Sequence, residues 1–580
     1  MEQESLNNLR HSCAHLLAAA VMKLWPEAKR TIGPAIDDGF YFDFDFGDVK
    51  ISEADFPRIE KTMQEILPTW TGFERHELLA DDAKKEYPGN EYKHELIDEF
   101  TADGSKVSFY KSGEYWDLCR GGHCDNPSKE LRHFKLLSIA GAYWRGSEKN
   151  KMLTRIYGTC FPTKDELMKY LHMLEEAKKR DHRKLGKELD LFTFSELVGS
   201  GLPLFTPRGT IVREELNRYS QELREAVGWQ KVWAPHITKK ELYETSGHWA
   251  KFGGELFLVK SQETSDEMVM KPMNCPHHQQ IYASRPRSYR DLPIKYMETT
   301  TIYRDEKAGE LLGLSRVRAI TQDDSHTFCT PEQVEGIYDT LIGVVQEFYG
   351  TLGMKLRARL SYRDPAQKQK YLGEDALWDK AEGILLAIAK KHDLDYYEAV
   401  GEAAFYGPKI DFMAVDALGR EWQVATPQLD FVQAARFGLT YTDSDGQEKT
   451  PVMIHFALMG SIERFLSVYI EHTAGVFPLW LAPTQVLFVP VADRHTEFAK
   501  SLAQEFRSQK IRADVDDADE TVGNKIRKAA KEKIPYVVVV GDKEVAGEEW
   551  MVRVRGKEEQ EKMGKDACME RIMREIRERT

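Results

Sequence analysis

The sequence has few of the features that mark secreted, membrane-embedded or nucleic-acid-coating proteins. Its 580 residues include only seven cysteines, an odd number at irregular spacing, which excludes a secreted disulfide framework. No apolar run approaches the roughly 18 residues of a membrane-spanning helix, and no pattern typical of a signal peptide is present. Lys and Arg number 81 against 94 acidic residues, and this net charge of −13 argues against indiscriminate coating of nucleic acid. We therefore expect a reduced, cytoplasmic location and no membrane partner.

What is present predicts a folded chain of several domains. Hydrophobic residues at 42% and charged residues at 30% are ordinary for globular proteins, and the length suggests about three or four domains. Aromatic alternation in "GFYFDFDF" (39–46) and "SFYKSGEYWDLCRGGH" (108–123) predicts strands. The charged stretch 164–190 predicts a solvated helical connector. Residues 191–481 lack a βα repeat, which favours an antiparallel sheet, whereas strands alternating with helices after 482 favour a mostly parallel one.

The first predicted helix carries two histidines four residues apart. Apolar residues recur every three or four positions across 6–24, so we expect an amphipathic helix that is capped by Ser5 and ends before Pro26. His11 and His15 share the face opposite the apolar stripe, and we expect them to face solvent or a cleft. The spacing alone allows a metal site, a catalytic pair or two solvated side chains.

Three further motifs follow one another in the remaining chain. "TTTIYRDEKAGELLGLSRVRAITQDDSH" (299–326) would suit a solvated loop by charge alone, but its arginine followed two residues later by an acid resembles the second signature of class II aminoacyl-tRNA synthetases. "GSIERF" (460–465) is similar to the third, and "KVWAPHITKKELYETSGHW" (231–249), with Pro235, is similar to the first. The resemblance implies a multidomain α+β and α/β protein whose catalytic domain is built on an antiparallel sheet.

Five sequence blocks carry a more detailed resemblance within that class: "MKPMNCPHH" (270–278), "TQDDSHTF" (321–328), "FYGPKIDF" (405–412), "EWQVATPQLDF" (421–431) and "VMIHFALMGSIERF" (452–465). They look like blocks of the threonyl-tRNA synthetase family, and the resemblance extends over nearly the whole chain. It implies ATP-dependent attachment of threonine to tRNA(Thr) through a threonyl-adenylate, by a homodimer. The implied domains are an α+β editing domain (1–163), a helical linker (164–190), the class II catalytic domain (191–481) and a C-terminal α/β anticodon-binding domain (482–580).

Family members commonly begin with a further small domain of ubiquitin-like topology, ahead of the editing domain. In this sequence only ten residues precede His11. We therefore expect the ubiquitin-like domain to be absent.

Cys275, His326 and His455 resemble the three zinc ligands of the family. Their spacing is far too long for a local zinc motif, so the residues alone would not reveal them. One thiolate and two imidazoles leave a coordination position open for substrate. The resemblance implies one zinc per chain that binds the amino group and hydroxyl of threonine. Valine lacks this hydroxyl and is thereby excluded. An apolar pocket would separate threonine from valine poorly, because the two amino acids are nearly isosteric.

The resemblance also assigns positions around threonine, the adenylate and ATP with Mg²⁺. Asp324 matches the carboxylate that meets the substrate ammonium, and the neighbouring matches are Gln322, Tyr406, Gln423, Thr426 and Gln428. The positions matching ATP contacts are Arg304, Glu306, Arg316 and Arg464, and Lys409 is a supporting contact. Arg304, Arg464 and Lys409 would be the catalytic residues. Two departures stand out: His277 replaces a frequent glycine, and "VATPQ" replaces the usual "CGTxQ".

His11 and His15 match the editing pocket of the family, whose other matching positions are Tyr41, Lys93, Asp117, Cys119 and His123. Serine keeps the hydroxyl and lacks one methyl group, a difference of roughly 1–3 kcal/mol or about 10–200-fold. Seryl-tRNA(Thr) should therefore be hydrolysed at a second site. The family implies a metal-free pocket that orients water, but two histidines with a Cys/His pair also form a four-ligand zinc set. Both interpretations stay open.

The C-terminal segment "GDKEVAGEEWMVRVRG" (541–556) resembles the anticodon-binding domain, with Glu544 and Arg553 at base-reading positions. Lys525, Arg527 and Lys528 are then available for phosphates, so tRNA binding should weaken with salt. An ordinary solvated basic helix is the alternative.

Three competing functions are weaker. A non-catalytic RNA-binding paralogue would have no need of an intact Arg304, Arg464 and zinc trio. A zinc hydrolase centred on the first module leaves the arginine motifs unexplained, and a prolyl or seryl enzyme has no need of Cys275, His326 and His455.

Overall fold

The first helix begins earlier than its sequence predicts. In the computed structural model, which describes residues 2–547 and 549–580, it spans Glu2–Leu24. The prediction that Ser5 caps it was wrong, because the preceding Glu and Gln residues are good helix formers that extend it. The predicted end before Pro26 is observed. His15 is only 3% exposed, and its ring lies among those of Phe73 and Tyr115.

The chain divides into a unit ending at Glu175 and a unit comprising Glu176–Thr580. The first contains the helices Glu2–Leu24, Phe56–Ile66, Ala80–Lys85, Glu91–Phe100 and Pro127–Glu130, and the helix Lys164–Arg180 begins in it. Its strands are Lys29–Arg30, Ala35–Ile36, Gly39–Asp45, Glu74–Leu78, Val107–Ser112, Tyr115–Leu118, His133–Tyr143 and Met152–Phe161. Short 3₁₀ turns occupy Glu53–Asp55, Leu67–Thr69 and Trp144–Gly146.

Two antiparallel sheets form the first unit. The larger has the order Lys29–Arg30, Gly39–Asp45, Met152–Phe161, His133–Tyr143, and Ala35–Ile36 also pairs with its second strand. The smaller has the order Glu74–Leu78, Val107–Ser112, Tyr115–Leu118. Alternation along Gly39–Asp45 buries its phenylalanines against the first helix. The predicted α+β character is confirmed.

The second unit contains the motifs at 231–249, 299–326 and 460–465 and the C-terminal segment 541–556. Its helices are His182–Glu188, Pro207–Ala226, Glu241–Ser246, His248–Phe252, Cys275–Ala283, Val334–Thr351, Asp375–Lys391, Gln433–Arg436, Ile462–Thr473, Thr496–Ser508, Val522–Lys531, Asp542–Val545 and Lys565–Glu578. Its 3₁₀ turns are Gly253–Glu255, Tyr289–Asp291, Ala308–Glu310, Pro331–Gln333, Pro365–Lys370 and Asp493–His495.

A large, mainly antiparallel sheet organises this unit, as predicted. Its order is Gln230–Lys231, Ile294–Tyr303, Ala319–Cys329, Val452–Ser461, Thr426–Asp430, Lys409–Val415, Lys355–Tyr362, Tyr396–Val400, with Glu421–Gln423 also on Lys409–Val415. Smaller ladders join Phe192–Thr193 with Leu204–Phe205, Ile237–Lys239 with Glu267–Met270 and Leu258–Lys260, and Tyr441–Thr442 with Glu448–Lys449. The helix Val334–Thr351 buries its apolar face on the large sheet.

Two details differ from the sequence expectations. The stretch 164–190 is two helices separated at Asp181, and the second buries His182, Leu185 and Gly186, so it is not a solvated connector throughout. The few apolar residues of this second helix lie on one face. The high charge of the stretch as a whole hides that pattern in the sequence.

The C-terminal sheet is mixed rather than mostly parallel. Its order is Ala513–Val515, Val486–Pro490, Tyr536–Val540, Trp550–Val554, Glu561–Met563. The first two pairings are parallel and the last two are antiparallel, because the connections to the final two strands are too short for a crossover. Across residues 2–547 and 549–580, every helix is too short or too polar to traverse a bilayer.

Candidate active site

The register of three adjacent strands brings distant polar residues onto one face of the large sheet. His326 lies directly opposite His455, and Gln428 lies opposite His455 from the other side. Directly opposed side chains in antiparallel strands have Cβ atoms about 4.5–5.5 Å apart. Because alternate residues share a face, Asp324 and Thr426 project beside them.

Cys275 completes this group from a different element, the start of the helix Cys275–Ala283. The thiol and one nitrogen each of His326 and His455 all lie within 4.8 Å of one another, and all three residues are buried. Burial raises the pKa of the Cys275 thiol well above its ordinary value, so the thiol is protonated unless a cation is bound. A buried cluster of one sulfur and two imidazoles matches the donor set that zinc prefers.

Hydrogen bonds leave each histidine with an available nitrogen. Asp430 Oδ2 is 2.8 Å from His455 Nε2, so this nitrogen donates and Nδ1 keeps its lone pair. Partners of this kind orient metal-binding imidazoles.

His326 is oriented through a second imidazole. Its Nδ1 is 2.8 Å from Nδ1 of His278, whose Nε2 is 3.3 Å from Glu298 Oε2. Burial alone would raise the pKa of Glu298, but hydrogen bonds from His278 and from the Ala234 amide lower it, so the carboxylate is ionised. A carboxylate only accepts, so His278 donates to Glu298 and accepts from His326. His326 Nε2 is thereby left unprotonated, and the residues present fit a zinc ion.

A cavity of about 570 Å³ opens beside these histidines and holds most of the positions predicted to contact substrate. Its wall includes Arg304, Glu306, Arg316, Gln322, Asp324, His326, Tyr406, Gln423, Thr426, Gln428, His455 and Arg464. Lys409 is not on this wall. Its ammonium instead lies 2.6 Å from Asp411, a buried carboxylate that also accepts hydrogen bonds from Gln423 and Thr426.

The cavity wall carries both acidic side chains and arginines. Asp324 accepts a hydrogen bond from the Asn274 amide at 3.1 Å, and burial raises its pKa. Arg464 is exposed on the same wall, and Arg316 is held by Glu306 at 2.8 Å and Glu310 at 2.7 Å.

A second cavity, of about 880 Å³, lies in the first unit and is lined by His11, His15, Lys93, Asp117 and Cys119 among others. His11 Nε2 is 3.1 Å from Cys119 Sγ, which is 3.3 Å from His123 Nε2. Burial lowers the pKa of all three histidines, that of His123 to about 3, and raises the pKa of Cys119 to about 11. At neutral pH the cluster consists of neutral imidazoles and a thiol. Its ligand atoms lie within 4.8 Å of one another, which also suits a metal.

A buried charge network supports this second cavity. The Asp117 carboxylate lies 2.8 Å from the Lys93 ammonium and 3.2 Å from Arg30, and it accepts hydrogen bonds from Tyr87 and Tyr115. Burial alone would raise the pKa of Asp117, but Lys93 and Arg30 lower it well below its ordinary value. The carboxylate is therefore ionised and fixes the Lys93 ammonium at the cavity wall.

Replacing Asp117 by asparagine should destabilise the protein by about 3–5 kcal/mol at pH 7, because it leaves buried cations uncompensated. This loss of unfolding free energy should be complete above a pH of about 3.9, the pKa of an aspartate in the unfolded chain. It should shrink as the pH falls below that value, because Asp117 of the unaltered protein is then protonated and loses the same stabilisation. Urea unfolding of the full chain at several pH values measures it. Asp48→Asn, an exposed acid of the same unit, should change the free energy of unfolding by less than about 0.5 kcal/mol.

Several residues that were predicted to contact substrate or tRNA make other contacts in the structure. Tyr41 is not on the wall of the second cavity, and its ring faces the Arg155 guanidinium at 3.7 Å. Glu544 accepts a hydrogen bond from the Gly541 amide in the cap of its own helix. Lys525 is only 4% exposed, so its predicted availability for phosphates was wrong, because it lies on the buried face of Val522–Lys531. Arg527 and Lys528 are exposed on that helix.

Sequence reasoning missed the residues that orient the predicted ones, namely His278, Glu298, Asp411 and Asp430. Asp430 had a signal, since alternation along "TPQLD" puts it on the face of Thr426 and Gln428. His278 adjoins His277, but nothing local indicates that it reaches His326. His277 itself is buried, and neither ring nitrogen has a hydrogen-bond partner among the described residues.

Comparison with known families agrees with this architecture. Residues 257–473 match the tRNA synthetase class II core domain (G, H, P, S and T), and residues 485–575 match an anticodon binding domain. Residues 107–157 match the threonyl and alanyl tRNA synthetase second additional domain. Fold and site together define a class II aminoacyl-tRNA synthetase.

Full-length relatives identify the branch of this class. The chain is 47% identical over 577 residues to the threonine–tRNA ligase of Rubrobacter xylanophilus and 46% identical over 576 residues to that of Staphylococcus carnosus. Each alignment covers 99% of this chain and 89% of the relative. The RNA binding domain of threonyl-tRNA synthetase from Cryptosporidium parvum superimposes with a TM-score of 0.65 at 34% identity, covering 68% of this chain and 97% of that one. The chain belongs to the threonine–tRNA ligase family, which confirms the family predicted from the motifs.

Proposed function

We propose that this ligase joins threonine to tRNA(Thr) in two steps, selects threonine with a zinc ion, and hydrolyses seryl-tRNA(Thr) in the first unit. The buried cluster of Cys275, His326 and His455, with each imidazole oriented by a hydrogen-bond partner, is the observation that carries the proposal. Zinc held by these residues would supply a Lewis acid that requires both an amino group and a hydroxyl in its substrate.

Residues around the cluster would orient the amino acid. Asp324 accepts a hydrogen bond from the substrate amino group, and Asn274 and the Ser325 amide hold its carboxylate in place. Tyr406 donates to Gln428 at 2.7 Å, which closes one side of the cavity and restricts the size of the side chain. Gln322, Gln423 and Thr426 supply the remaining polar wall.

The arginines of the same cavity would bind ATP with Mg²⁺. Attack of the threonine carboxylate on the α-phosphorus forms the adenylate and releases pyrophosphate. Arg304 holds the α-phosphate, because a guanidinium contacts phosphate oxygens in a bidentate manner. Arg464 and Arg316, with Glu306, bind the adenine and the terminal phosphates. Such fixed positive charge stabilises the charge that develops on the transferred group. The tRNA terminal ribose hydroxyl, at its 3′ position, then attacks the adenylate and releases AMP.

The second cavity would edit seryl-tRNA. His11, His15 and His123 are neutral at pH 7, so they can accept a proton from a water molecule that attacks the ester. The buried Lys93 ammonium supplies positive charge near the carbonyl oxygen. Cys119 is a protonated thiol rather than a nucleophilic thiolate, which favours water as the attacking group.

The remaining assignments follow the same scheme. We propose an editing domain over 1–163, a linker over 164–190, a catalytic domain over 191–481 and an anticodon-binding domain over 482–580. Exposed Arg527 and Lys528 then contact phosphates, and Glu544 and Arg553 read bases. A homodimer in the cytoplasm is the expected working form.

Threonine-dependent exchange of pyrophosphate into ATP tests the selection step. Threonine should support exchange, serine should support it less efficiently by about 10–200-fold because one methyl contact is lost, and valine should support none. The measurement is kcat/KM for each amino acid, with zinc content determined on the same protein. Exchange with valine comparable to that with threonine would refute hydroxyl recognition.

A further inference from the structure

The end of the connector contacts the helix that carries Arg464. The guanidinium of Arg180 donates to the backbone carbonyl of His472 at 3.0 Å, near the end of Ile462–Thr473. The backbone amide and Nδ1 of His182 lie 3.2 and 2.8 Å from Glu471 Oε1. His182 is 3% exposed, so these contacts are made away from solvent.

The same imidazole contacts a second element, the backbone just before Ser315 and Arg316, two residues on the cavity wall. Burial alone would raise the pKa of Glu471, but hydrogen bonds from His182 and Arg420 lower it, so the carboxylate is ionised. His182 Nδ1 must therefore donate, and Nε2 keeps its lone pair. The backbone amide of Leu314 donates to this nitrogen at 3.1 Å. Asp181, His182 and Glu471 are close enough to suggest a metal, but both ring nitrogens of His182 already have partners.

Leu314 lies at the tip of a tight turn that ends in Arg316. Leu312 and Arg316 exchange backbone hydrogen bonds of 3.1 and 3.2 Å around it. Gly313 has φ +50°, and a Cβ atom there would lie 2.2 Å from His182 Nε2, so the ring is in close contact with the turn. On the other side, the Ser315 hydroxyl donates to that of Ser467 at 2.9 Å. The position of the turn is therefore fixed by the connector and by the helix Ile462–Thr473 together.

We propose that His182 is a positioning residue for ATP: it holds the turn 312–316 so that Arg316 and Ser315 line the nucleotide end of the cavity. The assignment rests on the proposed role of Arg316 at ATP. It gives the connector a function in activation, through one hydrogen bond to the turn and another to the helix that carries Arg464.

Two amide substitutions separate these hydrogen bonds. The Asn amide overlays Nδ1 of a histidine, so His182→Asn keeps a donor to Glu471 and loses the acceptor for Leu314. The Gln amide overlays Nε2, so His182→Gln keeps the acceptor and loses the side-chain hydrogen bond to Glu471, while the backbone amide of residue 182 keeps its own. We expect His182→Asn to raise KM for ATP about tenfold, the effect of leaving a buried amide unpaired. KM for threonine should be unchanged, and His182→Gln should retain the KM for ATP of the unaltered protein.

The measurement is threonine-dependent pyrophosphate exchange with ATP and threonine varied separately, together with thermal melting of each variant. His472→Asn is the matched control, because His472 lies beside Glu471 and its ring stacks on Tyr469 of its own helix. If the Asn variant does not fold, Gly313→Ala perturbs the same contact from the turn and should raise KM for ATP. Equal KM values for ATP in the Asn and Gln variants, or a parallel rise in KM for threonine, would overturn the role of His182. Absence of exchange in the unaltered protein would instead overturn the proposed function, and the role of His182 with it.

Discussion

Cys275→Ala should reduce both bound zinc and threonine-dependent pyrophosphate exchange by at least about 100-fold, since loss of even an outer-shell partner of a metal site costs 10–100-fold. The reason is the composition of the cluster. Cys275 is its only sulfur donor, and two buried imidazoles, those of His326 and His455, remain without it. Zinc per chain, measured by elemental analysis after dialysis, and exchange kinetics should fall together.

Cys568→Ala separates the loss of a metal ligand from the loss of a buried thiol. Cys568 is fully buried in the C-terminal domain, remote in the chain from the cluster. Its replacement should lower the melting temperature slightly, through the small cavity it leaves, and should leave zinc content unchanged. A Cys275→Ala protein that retains one zinc and full threonine activation would remove the basis for assigning threonine selection to this cluster.

Local sequence patterns predicted individual strands outside the active-site sheet, whereas the contacts between strands required the structure. Alternation identified Gly39–Asp45, and motif resemblance identified His326 and His455. The register that sets these two histidines opposite each other depends on pairing between strands far apart in the chain, which no local pattern encodes.

The unpredicted orienting residues have the same explanation. His278 and Glu298 act through His326, and each resembles an ordinary buried polar residue when it is considered alone. The burial of Lys525 was missed because the net charge of its helix obscured a narrow apolar face. His182 was masked in the same way by the charged residues of the connector.

The double substitution His11→Ala/His15→Ala should leave threonylation of tRNA unchanged and should slow hydrolysis of seryl-tRNA(Thr) about 100-fold or more, the contribution of general acid–base groups. The two rings lie 4.8 Å apart and, with His123, surround Cys119 at the cavity wall. Their removal therefore takes away two of the three proposed proton acceptors and leaves the separate activation cavity intact. Deacylation of preformed seryl-tRNA, measured beside threonine charging, distinguishes the two activities.

His76→Ala provides the control, because His76 lies in the same unit on the exposed strand Glu74–Leu78 and should retain deacylation. Zinc content of the double variant also decides between the two interpretations of the cluster. One zinc per chain before and after substitution means that the imidazoles act directly on water. A fall from two to one means that His11, His15, Cys119 and His123 bind a second ion, which their mutual distances permit. Deacylation at the rate of the unaltered protein would exclude His11 and His15 from editing, because no other histidine among the described residues lines this cavity.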